Sequence, residues 1–363
     1  MASFTVTDAD AHYLEDLSRL SEYLEDDNPW KGRFGGDGKD SREDVGSVPV
    51  NIFPSSTGSR NLYGRIQRDE VSYPGEEMTA DDVPRIMAHL GLDNCVLLSQ
   101  KMLTFARLKA DDERANVLAK TYTEYMLDQV VDPDEGVYTM IPVPWQDPEY
   151  AVELLDEYGD ERGICGACMI TGGAEPPMGN RKYDPIYEIA EKKDIAINFH
   201  TGGGGLDEFH QKGYEKFIET HTLGFLYNNA SQIVSVVIQG VPEKFPDLKI
   251  AFQESGLFYV PTVMHRLDAE YLKRQSEAPL LEKRPSEYMK EFYYGIQPME
   301  LPEKEEYLEQ IIEMIGGPDR LMYASDYPHW DYDRPSVITE RPFLDESEKQ
   351  RILSGTAEEV FGI

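Results

Sequence analysis

Two histidines and two aspartates, far apart in the sequence, are of the types and in the places that could gather one divalent metal ion. Asp10 and His12 close the run Asp8-Ala9-Asp10-Ala11-His12, which follows an apolar β-like segment. Residues two apart on a strand project to one side, so both can reach the same ion. His200 ends a second such run, Asn198-Phe199-His200-Thr201, with four glycines, Gly202 to Gly205, directly behind it. Asp326 lies in a third, Ala324-Ser325-Asp326-Tyr327-Pro328-His329-Trp330-Asp331. Taken singly, each run has a plainer explanation as a core or surface histidine, a strand-end carboxylate or a flexible turn. Together, two imidazoles and two carboxylates make a borderline-hard donor set that suits Zn2+ first and Mn2+ second. A metal with an open position lowers the pKa of bound water towards about 7 and polarises a carbonyl or carboxylate. Asp326 is then placed both to ligate and to shuttle a proton.

These residues can meet only if a regular framework carries them. Short β-like runs alternate with amphipathic helical stretches, the pattern of repeated βα units around a parallel sheet. The expected strands are Phe4 to Asp10, Cys95 to Ser99, Val137 to Val143, Ile164 to Thr171, Ile195 to His200, Lys249 to Glu254, Phe292 to Gln297 and Leu321 to Asp326. Between them, helices are expected at Asp81 to His89, Asp112 to Val130, Pro148 to Tyr158, Pro185 to Lys193 and Pro302 to Ile315, several opened by Pro or Asp. Eight units predict an α/β fold, a closed (β/α)8 TIM barrel built as one elaborated domain over residues 1–363. In such a barrel strands one, five and eight end on the same face, which brings the two Asp and two His together. The stretch of about 30–73, rich in Gly, Ser, Asp and Arg, interrupts the pattern after the first strand. Its position suits a lid or substrate wall, with a plain surface insertion as the alternative.

The chain resembles the amidohydrolase-related (amidohydrolase 2) branch of the amidohydrolase superfamily, which includes aminocarboxymuconate-semialdehyde decarboxylase and γ-resorcylate decarboxylase. The likeness rests on Asp10-Ala11-His12, on Tyr183-Asp184-Pro185 through His200, on Lys244-Phe245-Pro246-Asp247-Leu248-Lys249 and on Ser325-Asp326-Tyr327-Pro328-His329. It implies His12, His200 and Asp326 as metal ligands, with Asp10 standing where relatives often carry His or Glu. Strand six departs from the pattern. Many relatives have a catalytic His there, whereas this chain reads Ile250-Ala251-Phe252-Gln253-Glu254-Ser255-Gly256. If Glu254 faces the pocket, it can act as a general acid/base or as a further ligand; if it faces outward, it is structural. The resemblance also raises the expectation of a homodimer.

Other candidates are more peripheral. Arg60 and Arg65 are cations of the first loop that could clasp a substrate carboxylate, or simply make surface ion pairs. His329 follows Asp326 closely enough to line the pocket and touch substrate, whereas His89, His210, His221 and His265 lack such placement. Glu15, one helical turn past His12, could orient a ligand or cap a helix.

Composition narrows the partners. With 35 Lys plus Arg against 68 Asp plus Glu, the formal charge is −33, a surface that repels phosphate backbones and anionic lipid, so nucleic-acid and membrane roles are disfavoured. Acidic runs such as Asp111-Asp112-Glu113 are spread along the chain, as in a salt-adapted, halophilic protein. Three cysteines, Cys95, Cys165 and Cys168, fit a reducing compartment, and the CxxC of the latter two sits in an apolar run that reads as buried strand. The N-terminus has no leader pattern and no window is apolar enough to span a bilayer, so a cytoplasmic location is expected. The leading functional expectation is a metal-dependent hydrolase that attacks a C–N or C–O bond of a small carbonyl substrate with metal-activated water. The alternative is a non-oxidative decarboxylase of an aromatic or unsaturated carboxylic acid. A third reading is a catalytically silent barrel that binds a metabolite.

Overall fold

Strand β1 (Thr7–Tyr13) opens a ring of parallel strands that continues through β2 (Asn94–Ser99), β3 (Val137–Pro142), β4 (Ile164–Ile170), β5 (Ile197–His200), β6 (Ile250–Gln253), β7 (Tyr293–Gly295) and β8 (Leu321–Met322). Each strand pairs in parallel with the next, in chain order. The structure is a computed structural model that describes residues 4–31, 78–103, 112–202, 217–329 and 331–363. The architecture is the (β/α)8 TIM barrel expected from the sequence. Most of the 30–73 insertion, with Arg60 and Arg65, lies outside the described residues.

The covering helices form where the sequence supplies both an apolar stripe and a start signal. Pro148–Tyr158 begins with Pro after Asp147, whose carboxylate accepts the Tyr150 N–H at 3.2 Å. Strand residues then divide between two clusters by alternation. Ile197, Phe199, Ile250 and Phe252 pack in the large cluster shared with the helices, where Phe199 and Phe252 stack at 5.0 Å. Ala196 and Ala251 join Val96, Leu98, Met140 and Met322 in the smaller one, inside the ring. His200 shares the parity of Ala196 and so faces inward. Cys165 and Cys168 are buried in β4 as expected, with their thiols pushed up by burial.

Two features depart from a regular ladder, and both concern the future site. In β1 the register with β2 slips between Asp8 and Ala11, an extra residue of the kind that re-aims side chains. Ala9 consequently packs inside the ring while Ala11 packs outside. The eighth strand is only two residues long, not the six expected, because the chain leaves the β7 ladder after Met322. It crosses instead to β1, where Ala9 N–H donates to Tyr323 O at 2.9 Å, Asp326 N–H to Asp10 O at 2.7 Å and His12 N–H to Tyr327 O at 2.8 Å. These bonds close the barrel seam.

Asp8 holds the same seam from below. Its buried carboxylate accepts the backbone N–H of Ser325 at 2.8 Å and of Asp10 at 3.1 Å. Burial pushes Asp8 up to about 7, against the lowering effect of the Ser325 hydrogen bonds. Replacing Asp8 by Ala leaves two buried N–H groups without an acceptor, so Asp8→Ala is expected to lose about 1–3 kcal/mol of stability. Urea unfolding measures this, and an unchanged midpoint would show that the seam closes without Asp8.

Candidate metal centre

The seam brings Asp10 and Asp326 to either side of His12, and β5 brings His200 to Asp10. His200 Nε2 lies 3.1 Å from Asp10 Oδ1, His12 Nε2 lies 3.0 Å from Asp326 Oδ1, and His12 Nε2 lies 3.7 Å from Asp10 Oδ1. All four side chains are 2% exposed or less. Ligand atoms bound at about 2.1 Å to one ion stand no more than about 4.2 Å apart; the His200–Asp10, His12–Asp10 and His12–Asp326 separations lie inside that limit, whereas no group of mutually close ligand atoms among the described residues joins Asp326 to both Asp10 and His200. The atoms of Asp10, His12 and His200 form one mutually close group, and those of His12, Asp326 and His329 form a second that shares His12.

The donor set also fits a cation chemically. Both ring nitrogens of His12 and Oδ2 of Asp10 are buried without a hydrogen-bond partner, a costly arrangement for groups that have nothing to bind. Burial, with His329 and His200 nearby, holds His12 well below its ordinary value and so in the neutral, ligating form. For His200 burial acts downward, but Asp10 and Glu254 outweigh it and push the imidazole up to about 9. The carboxylates that favour a proton on His200 would equally favour a divalent cation in its place. Burial also drives Asp326 well above the usual carboxylate range, with Glu254, Asp331, Asp10 and Asp8 adding repulsion.

Glu254 takes the inward alternative. Its Oε2 is 3.5 Å from His200 Nδ1 and the residue is 4% exposed. Burial raises it well above the ordinary value, opposed by His200 and reinforced by Asp10 and Asp331. Both Glu254 and Asp326 adopt left-handed backbone, with φ of 59° and 61°, which costs a non-glycine residue about 1–3 kcal/mol and is characteristic of functional turns. The turn after Glu254 is tight. Gly256, at φ 67°, lies so close to Glu300 that a Cβ would meet that carboxylate at 2.5 Å. Glu300 in turn accepts the Leu257 N–H at 2.7 Å ahead of the helix Tyr259–Arg274.

His329 reaches the cluster as expected. Its Nδ1 pairs with the Asp326 carboxylate and its Nε2 lies 3.0 Å from Gln100 Oε1. Burial, then His200 and His221, lower it to about 3. Glu15 takes the capping alternative: its carboxylate accepts Ser99 Oγ–H and the N–H groups of Gln100 (3.1 Å) and Lys101 (2.9 Å), where a 3-10 helical turn begins. It therefore fixes the turn that presents Gln100 to His329.

One residue set aside in the sequence does belong here. His221, on the helix Phe217–Ile238, places Nε2 3.5 Å from Asp331 Oδ2, and Asp331 acts electrostatically on both Glu254 and Asp326. No local pattern marks His221, because what places it is the packing of its helix over the ends of β4 to β6. His89 pairs instead with Arg334, at 2.8 Å. His210 and Trp330 lie outside the described residues.

A parallel barrel with histidines and carboxylates gathered at the C-terminal ends of its strands defines a metal-centre barrel protein. The chain belongs to the amidohydrolase family, whose model matches residues 67–363. It is 23% identical over 267 residues to gamma-resorcylate decarboxylase of Polaromonas sp. (strain JS666 / ATCC BAA-500), covering 69% of this chain and 78% of that protein. Among solved structures it superposes on an amidohydrolase from Mycobacterium avium subsp. paratuberculosis K-10 with a TM-score of 0.77 and 19% identity, over 100% of this chain and 99% of that one. It also superposes on dihydroxybenzoic acid decarboxylase from Polaromonas sp. JS666, solved with manganese and the inhibitor 2-nitroresorcinol, at a TM-score of 0.68 and 19% identity, over 99% of this chain and 97% of that one. Among the described residues no helix is long and apolar enough to cross a membrane.

The geometry makes His200→Ala the sharpest test of the cluster. That variant is expected to purify folded but without the metal that the wild type retains, as read by elemental analysis of both. Full metal content would remove His200 from the ligand set.

Proposed function

We propose that the chain is a metal-dependent, non-oxidative decarboxylase (a carboxy-lyase) of an aromatic or unsaturated carboxylic acid. Asp10, His12, His200 and Asp326 would hold one divalent ion, with manganese the first candidate given the manganese-containing relative and zinc, the first expectation from the donor set, the second. The observation that carries the reading is the position of Glu254, an inward carboxyl group 3.5 Å from His200 at the strand-six turn. The relatives incline the choice of reaction from the hydrolysis first expected towards loss of carbon dioxide, for which the same cluster serves.

When bound, the ion would hold the substrate carboxylate with its neighbouring oxygen and draw charge from them. The protein groups do the rest. Glu254 donates its proton to the carbon that bears the carboxylate, the C–C electron pair stays with that carbon, and the carboxylate leaves as carbon dioxide. Glu254 then regains a proton from solvent, so the substrate acid is converted to the corresponding arene or alkene and carbon dioxide with no oxidant consumed. His329 holds Asp326 in place through its Nδ1 contact, and the burial of the cluster excludes bulk water from the reacting carbon.

Carbon dioxide release from a panel of hydroxylated benzoates, measured on manganese- and zinc-loaded protein at high ionic strength, tests the reaction. Hydrolysis of lactones or amides without carbon dioxide would replace it with the hydrolase reading. Glu254→Gln is expected to lose turnover by about 100-fold or more, the usual contribution of a positioned acid, while keeping its metal. Asp326→Asn is expected to abolish turnover, and wild-type rates in either variant would refute the assigned role.

A further inference from the structure

One buried side chain beside the cluster carries polar atoms that the fold itself does not use. Gln253 closes β6, where it pairs in register with His200 of β5. Strands paired in this way stand about 4.8 Å apart, so the glutamine and the imidazole are neighbours at one level of the barrel. Ala251 packs inside the ring and Phe252 outside it, and alternation therefore turns Gln253 inward. The residue is 0% exposed, and neither its Nε2 nor its Oε1 has a hydrogen-bond partner among the described residues.

The fold makes room for this amide. Gly295 of β7 lies beneath it, and a Cβ there would land on the Gln253 amide oxygen. Any larger residue at that position would push the side chain from its seat. The backbone behind the amide is fixed as well, because Asn229 Nδ2 donates to Gln253 O at 2.7 Å. A buried amide seated this closely and left unpaired is costly unless a ligand meets it. Asn198 also presents an unpartnered, fully buried amide, but it stands two residues before His200 and so one inward position deeper. Of the two, Gln253 is the one at the level of His200.

The surroundings define what this amide can recognise. Among the described residues no lysine or arginine forms an ion pair with Asp10, Glu254 or Asp326. An anionic acid that reaches this carboxylate-rich cluster therefore has to find neutral donors. A carboxamide is such a donor: turned either way about its last bond it offers N–H and oxygen side by side, and its charge and donors do not change with pH. The part of the acid that travels deepest is its carboxylate, the group that the metal ligands are gathered to receive.

We propose that Gln253 is a substrate-positioning contact whose side-chain N–H donates a hydrogen bond to the carboxylate that leaves as carbon dioxide. This deepens the proposed function and rests on it for the class of substrate. It assigns Gly295 the task of keeping the seat of the amide open. A hydrogen bond to an anion is stronger than one to a neutral acceptor, so the contact holds the acid firmly and releases uncharged carbon dioxide.

Binding of 2,6-dihydroxybenzoate and of resorcinol, the same ring without the carboxylate, to metal-loaded protein is followed by titration calorimetry. Gln253→Met, which keeps the shape of the side chain and removes its polar atoms, is expected to weaken binding of the acid by about tenfold or more, as befits loss of a hydrogen bond to an anion. Resorcinol is expected to stay within about threefold of its wild-type affinity. Gly295→Ala, which leaves the amide intact but takes its seat, is expected to weaken the acid similarly and to add nothing further in the Gln253→Met background. Metal content should match wild type, and the melting temperature of Gln253→Met should equal or exceed it, because an unpaired buried amide has been removed. The kinetic loss should fall on KM more than on kcat. Wild-type affinity for the acid in Gln253→Met, or an equal loss for resorcinol, overturns the contact, as does failure of the wild type to bind the acid. If Gln253→Met releases carbon dioxide with wild-type KM, the contact falls and the decarboxylase reading stands. If no carbon dioxide is released yet binding of the acid depends on Gln253, the reaction falls and the contact stands.

Discussion

Five carboxyl groups, Asp8, Asp10, Glu254, Asp326 and Asp331, are packed at or beneath the mouth of one barrel, four of them 4% exposed or less. Charges of one sign cannot be brought this close in a medium that water does not reach unless protons, imidazoles or a cation compensate them. That requirement explains much of the local architecture. His200 is drawn towards its charged form by Asp10 and Glu254, while His12, flanked by other imidazoles, is held neutral. His329 and Gln100 are fixed around Asp326 by a turn that Glu15 anchors. A divalent ion held there would resolve the same imbalance more completely than protons do.

Much of the framework was legible in the sequence because each apolar run had to be a strand buried on both faces and each amphipathic stretch had to cover one. Six of the eight expected strands overlap the observed ones closely, whereas the first, expected at Phe4 to Asp10, lies three residues further on at Thr7–Tyr13 and the eighth contracts to Leu321–Met322. Nothing in Tyr323 to Asp326 distinguishes a residue that pairs with β7 from one that pairs with β1, since both environments are buried and hydrogen-bonded. The extra residue in β1 is equally silent in composition. Asp10, His12, His200 and Asp326 were legible as candidates because strand ends on one face of a barrel must converge. His221 was not, because its helix acquires its place only through contacts that Asn229, Gln232 and Ser255 make in three dimensions.

The left-handed backbone at Glu254 and Asp326 shows how the two acids are aimed. At a strand end, a change of φ to positive values turns the chain sharply and swings the side chain across the barrel mouth instead of along the strand. At Asp326 the strain is held by the bonds from its N–H to Asp10 and from the His329 N–H to its carbonyl, at 2.7 and 2.9 Å. At Glu254 it is held by the turn that leads to Gly256 and by the Asn229 anchor on Gln253. A chain shaped for stability alone would carry glycine at both positions.

The seam has a further meaning for how this protein comes into being. Asp8 and Ser325, joined by one hydrogen bond, are 317 residues apart, and the cluster needs Asp10 and His12 from the beginning of the chain together with Asp326 from near its end. During synthesis, a nascent polypeptide could complete seven of the strands and still lack Asp326. The complete donor set therefore exists only once the first and last strands have met, and an ion held there would act as a clasp between them and favour the closed ring over any partly assembled form.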